Sequence, residues 1–428
     1  VSQTVDPLAL FPDGAAIGSE GVEVGGVPLT ALAERFGTPL YVYDAGTLRA
    51  RASAAVRAAA TARRGGRAAF ALKAAAVPGV LRVLREAGMA ADCASAGEIA
   101  AALRAGFVGA DLVVHGNAKT AADLDAAIAA DARLVVVDGE DEAGRLAERC
   151  RACGRVQDVL LRVAPGVDVD THAKITTGHH GSKFGLPPER IAALAAALPE
   201  GLRLRGLHVH LGSQVIDTEP MLRTAAWLPA FAREHAIPLD IVDVGGGLGV
   251  AYRPGDPEPD LGTHIRDQVR AVESACPDGA EPAIIVEPGR SVVARAGVTL
   301  YRVVATKVAG DGTRWVAVDG GMGDNLRVGL YGAHYAPVLP ARPGAPSTGS
   351  YAIAGRHCES TDVIAEEVPL PEPVVGDVLA VPATGAYHQS MAVPYNLFGR
   401  PAAVLVDAGE AREITRRESV EDLLAREH

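Results

Sequence analysis

Aromatic residues make up only 4% of the 428 positions, and no apolar run reaches the roughly 18 residues needed to cross a bilayer, so no membrane span is expected. There is no basic excess either: 41 Lys and Arg stand against 52 Asp and Glu, a formal net charge of −11. That balance disfavours nucleic acid as a partner, because phosphate backbones demand a basic surface. A small anion held in a local basic pocket is still allowed. The opening "VSQTVDPLALFPDGA" has no basic stretch followed by an apolar one, so no secretory signal is expected. Cysteine is limited to five, an odd number, which is read as reduced thiols in a cytoplasmic protein. Cys150 and Cys153 form one CxxC within the amphipathic stretch "RLAERCRACGR". With no second pair nearby, it is read as a helix end carrying two thiols rather than a zinc or redox centre.

What is present is a regular alternation. Short apolar or β-branched runs occur at 67–74, 89–96, 111–117, 133–139, 159–166, 204–213, 239–247 and 283–290. Between them lie Ala- and Leu-rich helical stretches such as "AGEIAAALRAG" and "PERIAALAAALP". Strands alternating with helices of this length predict parallel βα units, and eight such units close a TIM (β/α)8 barrel. The alternation stops near residue 300, where strand-like pieces separated by Gly and Pro take over. The expected architecture is therefore α/β, with a barrel over 46–300. Residues 1–45 and 301–428 are expected to form a second, β-rich domain, a sandwich or Greek-key-like barrel.

Barrel enzymes place their chemistry at the C-terminal ends of the strands. The first run, "FALKAAAV", carries Lys73 inside what reads as buried strand. A buried ammonium is costly unless paired or neutralised. Either Lys73 snorkels to solvent at the strand end, or it is consumed in an imine, chemistry that suits a lysine of depressed pKa. Later strand ends bring Ser95, Glu98, His115, Asn117, Arg162, His208, His210, Gly212 and Ser213 to the same mouth. Strand 7 ends in Gly245, Gly246 and Gly247, and strand 8 in Glu287, Gly289 and Arg290. A phosphate site after strands 7 and 8 recurs in this fold, and glycines let backbone N–H groups approach an anion. A lysine, an anion cradle and a carboxylate for a pyridine nitrogen are what pyridoxal 5′-phosphate (PLP) requires. Glu287 is the candidate carboxylate. His210 either lies on the ring face or simply lines the barrel.

The pieces "FALKA", "DCASAGEI", "HGNAKT", "THAKITTGHHGSKFG", "GLHVHLGSQ", "DVGGGLG", "VEPGRSVVARAG", "VDGGMGDNLRVGLYGAHY", "GRHCESTDVI" and "GAYHQSMAVPYN" run in order from about residue 68 to 396. Together they resemble the fold-type III PLP-dependent amino-acid decarboxylases, and among them the diaminopimelate decarboxylases. The resemblance implies a homodimer with active sites at the subunit interface. By motif it implies that Lys73 carries the cofactor as an imine, that His210 stacks on the ring with Ser213 nearby, and that Gly245–Gly247 with Gly289 and Arg290 hold the phosphate. Glu287 would pair with the pyridinium. Arg290, Arg327 and Tyr331 correspond to substrate-binding residues, and Tyr387 lies at phosphate and substrate. Cys358 and Glu359 would come from the neighbouring subunit, with Cys358 as the catalytic acid, since a thiol can give and regain a proton near neutral pH. The alternative reading of Cys358 is a buried structural cysteine, and that of Arg327, taken alone, a surface salt bridge.

Two guanidinium forks suit a substrate with a distal carboxylate, and Glu359 suits its ammonium. The expected reaction is therefore meso-2,6-diaminopimelate to L-lysine and CO2, the last step of lysine biosynthesis, and no metal is invoked. Ala75, Gly139 and Ala164 depart from the usual pattern and leave room for a modified substrate. The alternatives are decarboxylation of ornithine, lysine, arginine or a secondary-metabolism substrate on the same scaffold, and a non-catalytic PLP-binding protein. A racemase is disfavoured because such enzymes avoid a carboxylate at the pyridine nitrogen.

Overall fold

A computed structural model describes residues 6–167, 182–277 and 279–427, so positions 171–181 of "THAKITTGHHGSKFG" lie outside the described residues. The chain divides into two compact units, one of residues 51–249 and 258–291, the other of residues 1–50, 250–257 and 292–428.

The first unit is a closed barrel of eight parallel strands: β1 Gly66–Ala71, β2 Ala90–Cys93, β3 Leu112–Val114, β4 Leu134–Val137, β5 Gln157–Arg162, β6 Leu202–His208, β7 Ile241–Asp243 and β8 Ala283–Val286. Each of the eight runs read from the sequence overlaps one of them; five contain their strand whole, while Gly66–Ala71, Gln157–Arg162 and Leu202–His208 begin one or two residues before the run. The intervening helices begin on ordinary signals. Ser95 and Thr120 accept the N–H groups of Glu98 and Asp123, and Pro78 and Pro188 occupy first-turn positions.

Inside the barrel, Ala69, Ala90, Val113, Leu134, Val136, Leu160, Ile241 and Ile285 form one buried apolar cluster. Side chains two apart on a strand share a face. Moving two residues on from that layer therefore gives Asp92, His115, Arg162, Asp243 and Glu287, all buried. An apolar floor is thus topped by a ring of charged and titratable groups, and the ring lies at the C-terminal ends of the strands.

The second unit is built on a mixed sheet. In order across it run Val363–Leu370, Gly349–Ala354, Arg314–Val318, Gly297–Val308, Leu40–Asp44, Ala402–Asp407 and Glu410–Thr415, with Val378–Pro382 also paired to Gly297–Val308. Its core joins Leu40, Val42, Val298, Leu300, Ala402, Val404 and Val406 with Phe11, Val22, Val24 and Leu29 from near the start of the chain. Among the described residues no helix is long and apolar enough to cross a membrane.

Candidate active site

The barrel mouth opens on a cavity of about 260 Å³ whose lining includes Lys73, Asp92, Glu98, His115, Asn117, Arg162, Phe184, His208, His210 and Glu287. Glu287 stands one residue beyond β8 at the centre of the charged ring. Its Oε2 is 3.3 Å from His208 Nε2, and its Oε1 abuts His115 Nε2. Asp243 Oδ2 lies 3.8 Å from His115 Nε2, and Asp92 Oδ1 3.9 Å from the same atom. His115, His208, Asp243 and Glu287 each offer a donor atom, all within 4.8 Å of one another, so the set is also chemically able to hold a cation.

The charges sort themselves by environment. Burial alone would raise the Glu287 carboxyl, but His115 and His208 overcome it and hold the group well below the usual carboxylate range. Asp243 goes the other way, pushed well up by burial and by the charge of Glu287 beside it. Burial, reinforced by Glu287 and opposed by His115, lifts Asp92 to about 7. Glu287 is therefore the favoured carboxylate of the group, and Asp243 is biased toward its protonated form. Burial pulls His208 down to about 3. His210 is held well below its ordinary value by burial and then by the Lys73 ammonium. The Gly246 N–H donates to His210 Nδ1 at 3.2 Å, which puts the proton of this neutral imidazole on Nε2.

Lys73 is exposed, not buried, which corrects the reading of "FALKAAAV" as continuous buried strand. Strand β1 stops at Ala71, and Lys73 sits on the 3-10 turn Leu72–Ala74, where its side chain lines the open cavity. The triple glycine also differs in detail from a simple anion cradle. The Gly245 N–H is taken by Asp243 Oδ1 at 2.9 Å and the Gly246 N–H by His210, whereas the Gly247 N–H donates to no group of the described residues. Gly245 and Gly247 adopt φ of 70° and 115°. A Cβ at Gly246 would lie 2.8 Å from the carbonyl carbon of Glu287 and closer still to its oxygen. These residues are glycine because two backbone segments pass in contact. A Cβ at Gly289 would meet the methyl groups of Ala71 and Ala74 at 3.0 and 3.3 Å, a looser contact. Arg290 is buried, and its Nη2 donates to Ser213 Oγ at 2.9 Å, so those two predicted residues meet.

The remaining predicted residues belong to the second unit. Arg327 is buried, which removes its reading as a surface salt bridge. Its guanidinium lies 4.7 Å from the centre of the Tyr252 ring and donates to the Tyr335 hydroxyl. Tyr335 in turn meets the ring of His388 edge-on at 5.3 Å. Tyr331, half-buried, ends the helix Leu326–Tyr331. Tyr387 holds a left-handed φ of 62°, a strained state for a bulky residue and a mark of constraint. Cys358 and Glu359 are both exposed, so Cys358 is not a structural core cysteine. The Cys358 N–H donates to Asn396 Oδ1 at 2.9 Å.

Residues 47–294 match the family described as pyridoxal-dependent decarboxylase, pyridoxal binding domain. The chain is 45% identical to a diaminopimelate decarboxylase of Actinosynnema pretiosum subsp. auranticum, covering 100% of this chain and 98% of that one. It is 38% identical to the diaminopimelate decarboxylase of Bacillus subtilis, covering 94% of each. The chain belongs to the diaminopimelate decarboxylase family. The crystal structure of the M. jannaschii diaminopimelate decarboxylase in complex with L-lysine superposes with a TM-score of 0.88 at 32% identity, covering 97% of this chain and 98% of that one. For a member of this family, the sequence reading overlooked Asp92 and Asp243, although the period of two along "AADC" and "LDIVDV" places both inside the barrel. It also overlooked Tyr252 and Tyr335. The "GLYGAHY" segment supplied a signal for Tyr335, but nothing near Tyr252 in sequence points to Arg327.

Proposed function

We propose that this chain decarboxylates meso-2,6-diaminopimelate to L-lysine and CO2 with PLP as its cofactor. The observation that carries the reading is the barrel mouth, where a cavity-facing lysine and an ionised, histidine-flanked carboxylate converge beside a loop that only glycine can form. The residues fit the cofactor by their chemistry. Lys73 supplies the amine for attachment, Glu287 the negative charge for a pyridinium nitrogen, and the open N–H of Gly247 with Gly245, Gly246, Gly289 and Arg290 the surround for a phosphate. Bound there, PLP supplies an electron sink for the pair left on the substrate's α-carbon as CO2 departs.

The side chains then have separate tasks. Glu287 keeps the sink strong because His115 and His208 hold it ionised. His210, neutral and fixed by the Gly246 N–H, offers a flat face to a ring without adding charge. Ser213 and Arg290 brace each other. Arg327, caged by Tyr252 and Tyr335, presents a pre-oriented fork to a substrate carboxylate; Tyr331 and Tyr387 are assigned to substrate binding, and Glu359 to the distal ammonium. Cys358 returns the proton to the α-carbon. The exposed placement of Cys358 and Glu359, close to exposed Val393, Tyr395 and Leu397, supports a homodimer in which this face joins the neighbouring subunit's site.

The test is product analysis. The PLP-loaded protein is incubated separately with meso-diaminopimelate, lysine, ornithine and arginine, and CO2 and the amine product are measured. Lysine from meso-diaminopimelate alone is expected. CO2 from another substrate in its place would overturn the specificity assigned to Arg327.

A further inference from the structure

Lys119 is a buried charge in the barrel unit, with a side chain fully shielded from solvent. All three of its ammonium protons have acceptors: Gly116 O at 2.6 Å, Val136 O at 2.9 Å and Glu142 Oε1 at 2.7 Å. Those acceptors lie on different pieces of chain. Gly116 belongs to the turn after β3, Val136 to β4, and Glu142 to the first turn of the helix Glu140–Ala152. A buried pair of this kind adds little net stability compared with apolar residues of the same shape, so stability alone is a weak reason for it.

The turn it grips bears on the active site. His115 opens the turn, with its N–H bound to Cys93 O at 2.8 Å. Gly116 and Ala118 both take left-handed φ values, 98° and 53°, and Ala118 does so with a Cβ. Left to itself, such a turn would relax toward ordinary backbone, because a left-handed φ is unfavourable for a residue with a Cβ. Lys119 holds the Gly116 carbonyl from inside, while Arg145 donates to the carbonyl of Lys119 itself at 2.6 Å. The held end carries the imidazole that abuts Glu287, and Gly116 and Asn117 line the cavity.

We propose that Lys119 is a positioning residue: it locks the 115–119 turn so that His115 is pressed against Glu287, and thereby sets the charge that Glu287 presents to the cofactor's ring nitrogen. The proposal rests on the reading of Glu287 as the partner of that nitrogen. It assigns Lys119 no contact with substrate or cofactor.

The test separates positioning from scaffolding. In the double variant Lys119→Met/Glu142→Leu no buried charge is left alone, so its Tm is expected to stay near the parent's. The three anchors are lost all the same, so PLP affinity, measured by titrating the apoprotein and following absorbance, is expected to fall at least tenfold. The pH at which the bound cofactor's visible band titrates is expected to move as well. Glu142→Gln keeps an acceptor for Lys119 but removes its counter-charge, so its Tm is expected to fall, while PLP affinity and band, measured below that Tm, are expected to remain the parent's. A double variant with parental affinity and parental band would overturn the proposal. If the double variant does not fold, Lys119→Arg is read in the same way, because a planar fork cannot reach three diverging acceptors; parental values there would also overturn it. A parent protein that takes up no PLP would instead sink the functional reading, whatever Lys119 does.

Discussion

Gly246→Ala tests the close passage of the loop after β7 against the segment carrying Glu287. The new Cβ would fall 2.8 Å from the Glu287 carbonyl carbon, nearer still to its oxygen, and both are backbone atoms with no side-chain torsion to yield. Relief requires the two segments to part. Parting them strains the Glu287 N–H bond to Gly245 O at 2.8 Å and the Gly246 N–H bond to His210 Nδ1 at 3.2 Å. Overpacking costs roughly 1–3 kcal/mol, and a weakened hydrogen bond adds about 1 kcal/mol. Because Glu287 and His210 both face the cavity, that cost is expected largely in cofactor binding. A loss of about 2 kcal/mol corresponds to roughly 30-fold weaker PLP affinity. The assay is titration of the apoprotein with PLP, with a thermal melt of each form. Gly144→Ala is the control. It lies within a helix, where a Cβ meets nothing within 4 Å, and it is expected to leave affinity unchanged and the melt equal or higher. Parental PLP affinity and parental Tm in Gly246→Ala would refute the packing argument.

Arg327→Met removes the fork while keeping much of its length. Charge-assisted hydrogen bonds are worth roughly 1.5–3 kcal/mol, so kcat/KM for diaminopimelate is expected to fall roughly 10- to 100-fold, mostly through KM; a change under threefold would remove Arg327 from substrate recognition. Cys358→Ala is expected to bind PLP normally and lose roughly 100-fold or more in kcat, the usual scale of a general acid, and a fully active variant would place the acid elsewhere. His264 is buried in the helix Leu261–Ser274 and burial lowers it to about 4, below the ordinary 6.5. The unfolded chain thus binds a proton that the folded one refuses, and stability is lost as pH falls from 6.5 toward 4. Urea melts of the parent and His264→Gln at pH 7 and pH 5 should show the parent losing about 2 kcal/mol relative to the variant over that interval. Equal losses would mean His264 is not held neutral.

The barrel was legible because its strands and helices have different hydrophobic periods, and because closing eight βα units fixes which ends meet. Lys73, His210 and Glu287 could be placed at one mouth on that ground alone. Exposure was not legible. Whether Lys73 is buried depends on β1 ending at Ala71, a boundary that alanines on both sides leave unmarked. Asp92 and Asp243 were recoverable from strand parity, since each sits two residues past an apolar floor position, but a carboxylate in a short strand does not by itself declare which way it points. The cage of Arg327 was not recoverable. Tyr252 precedes Arg327 by 75 positions, and only the folded backbone brings such residues into contact. The hydrogen-bonding of the glycine loop was beyond the sequence for a related reason: "GGG" specifies freedom, while the acceptors for its N–H groups come from His210 and Asp243.

The central claim is that Lys73, at the mouth ringed by Glu287 and its histidines, is the residue that holds the cofactor. Borohydride reduction of the PLP-loaded protein, followed by proteolysis and mass spectrometry, tests it directly. The chain has only four other lysines, Lys119, Lys174, Lys183 and Lys307, so the label has few places to go. A pyridoxyl phosphate group on the peptide containing Lys73, and on no other, is the predicted result; stoichiometric label on any of the other four, with Lys73 unmodified, would contradict the account.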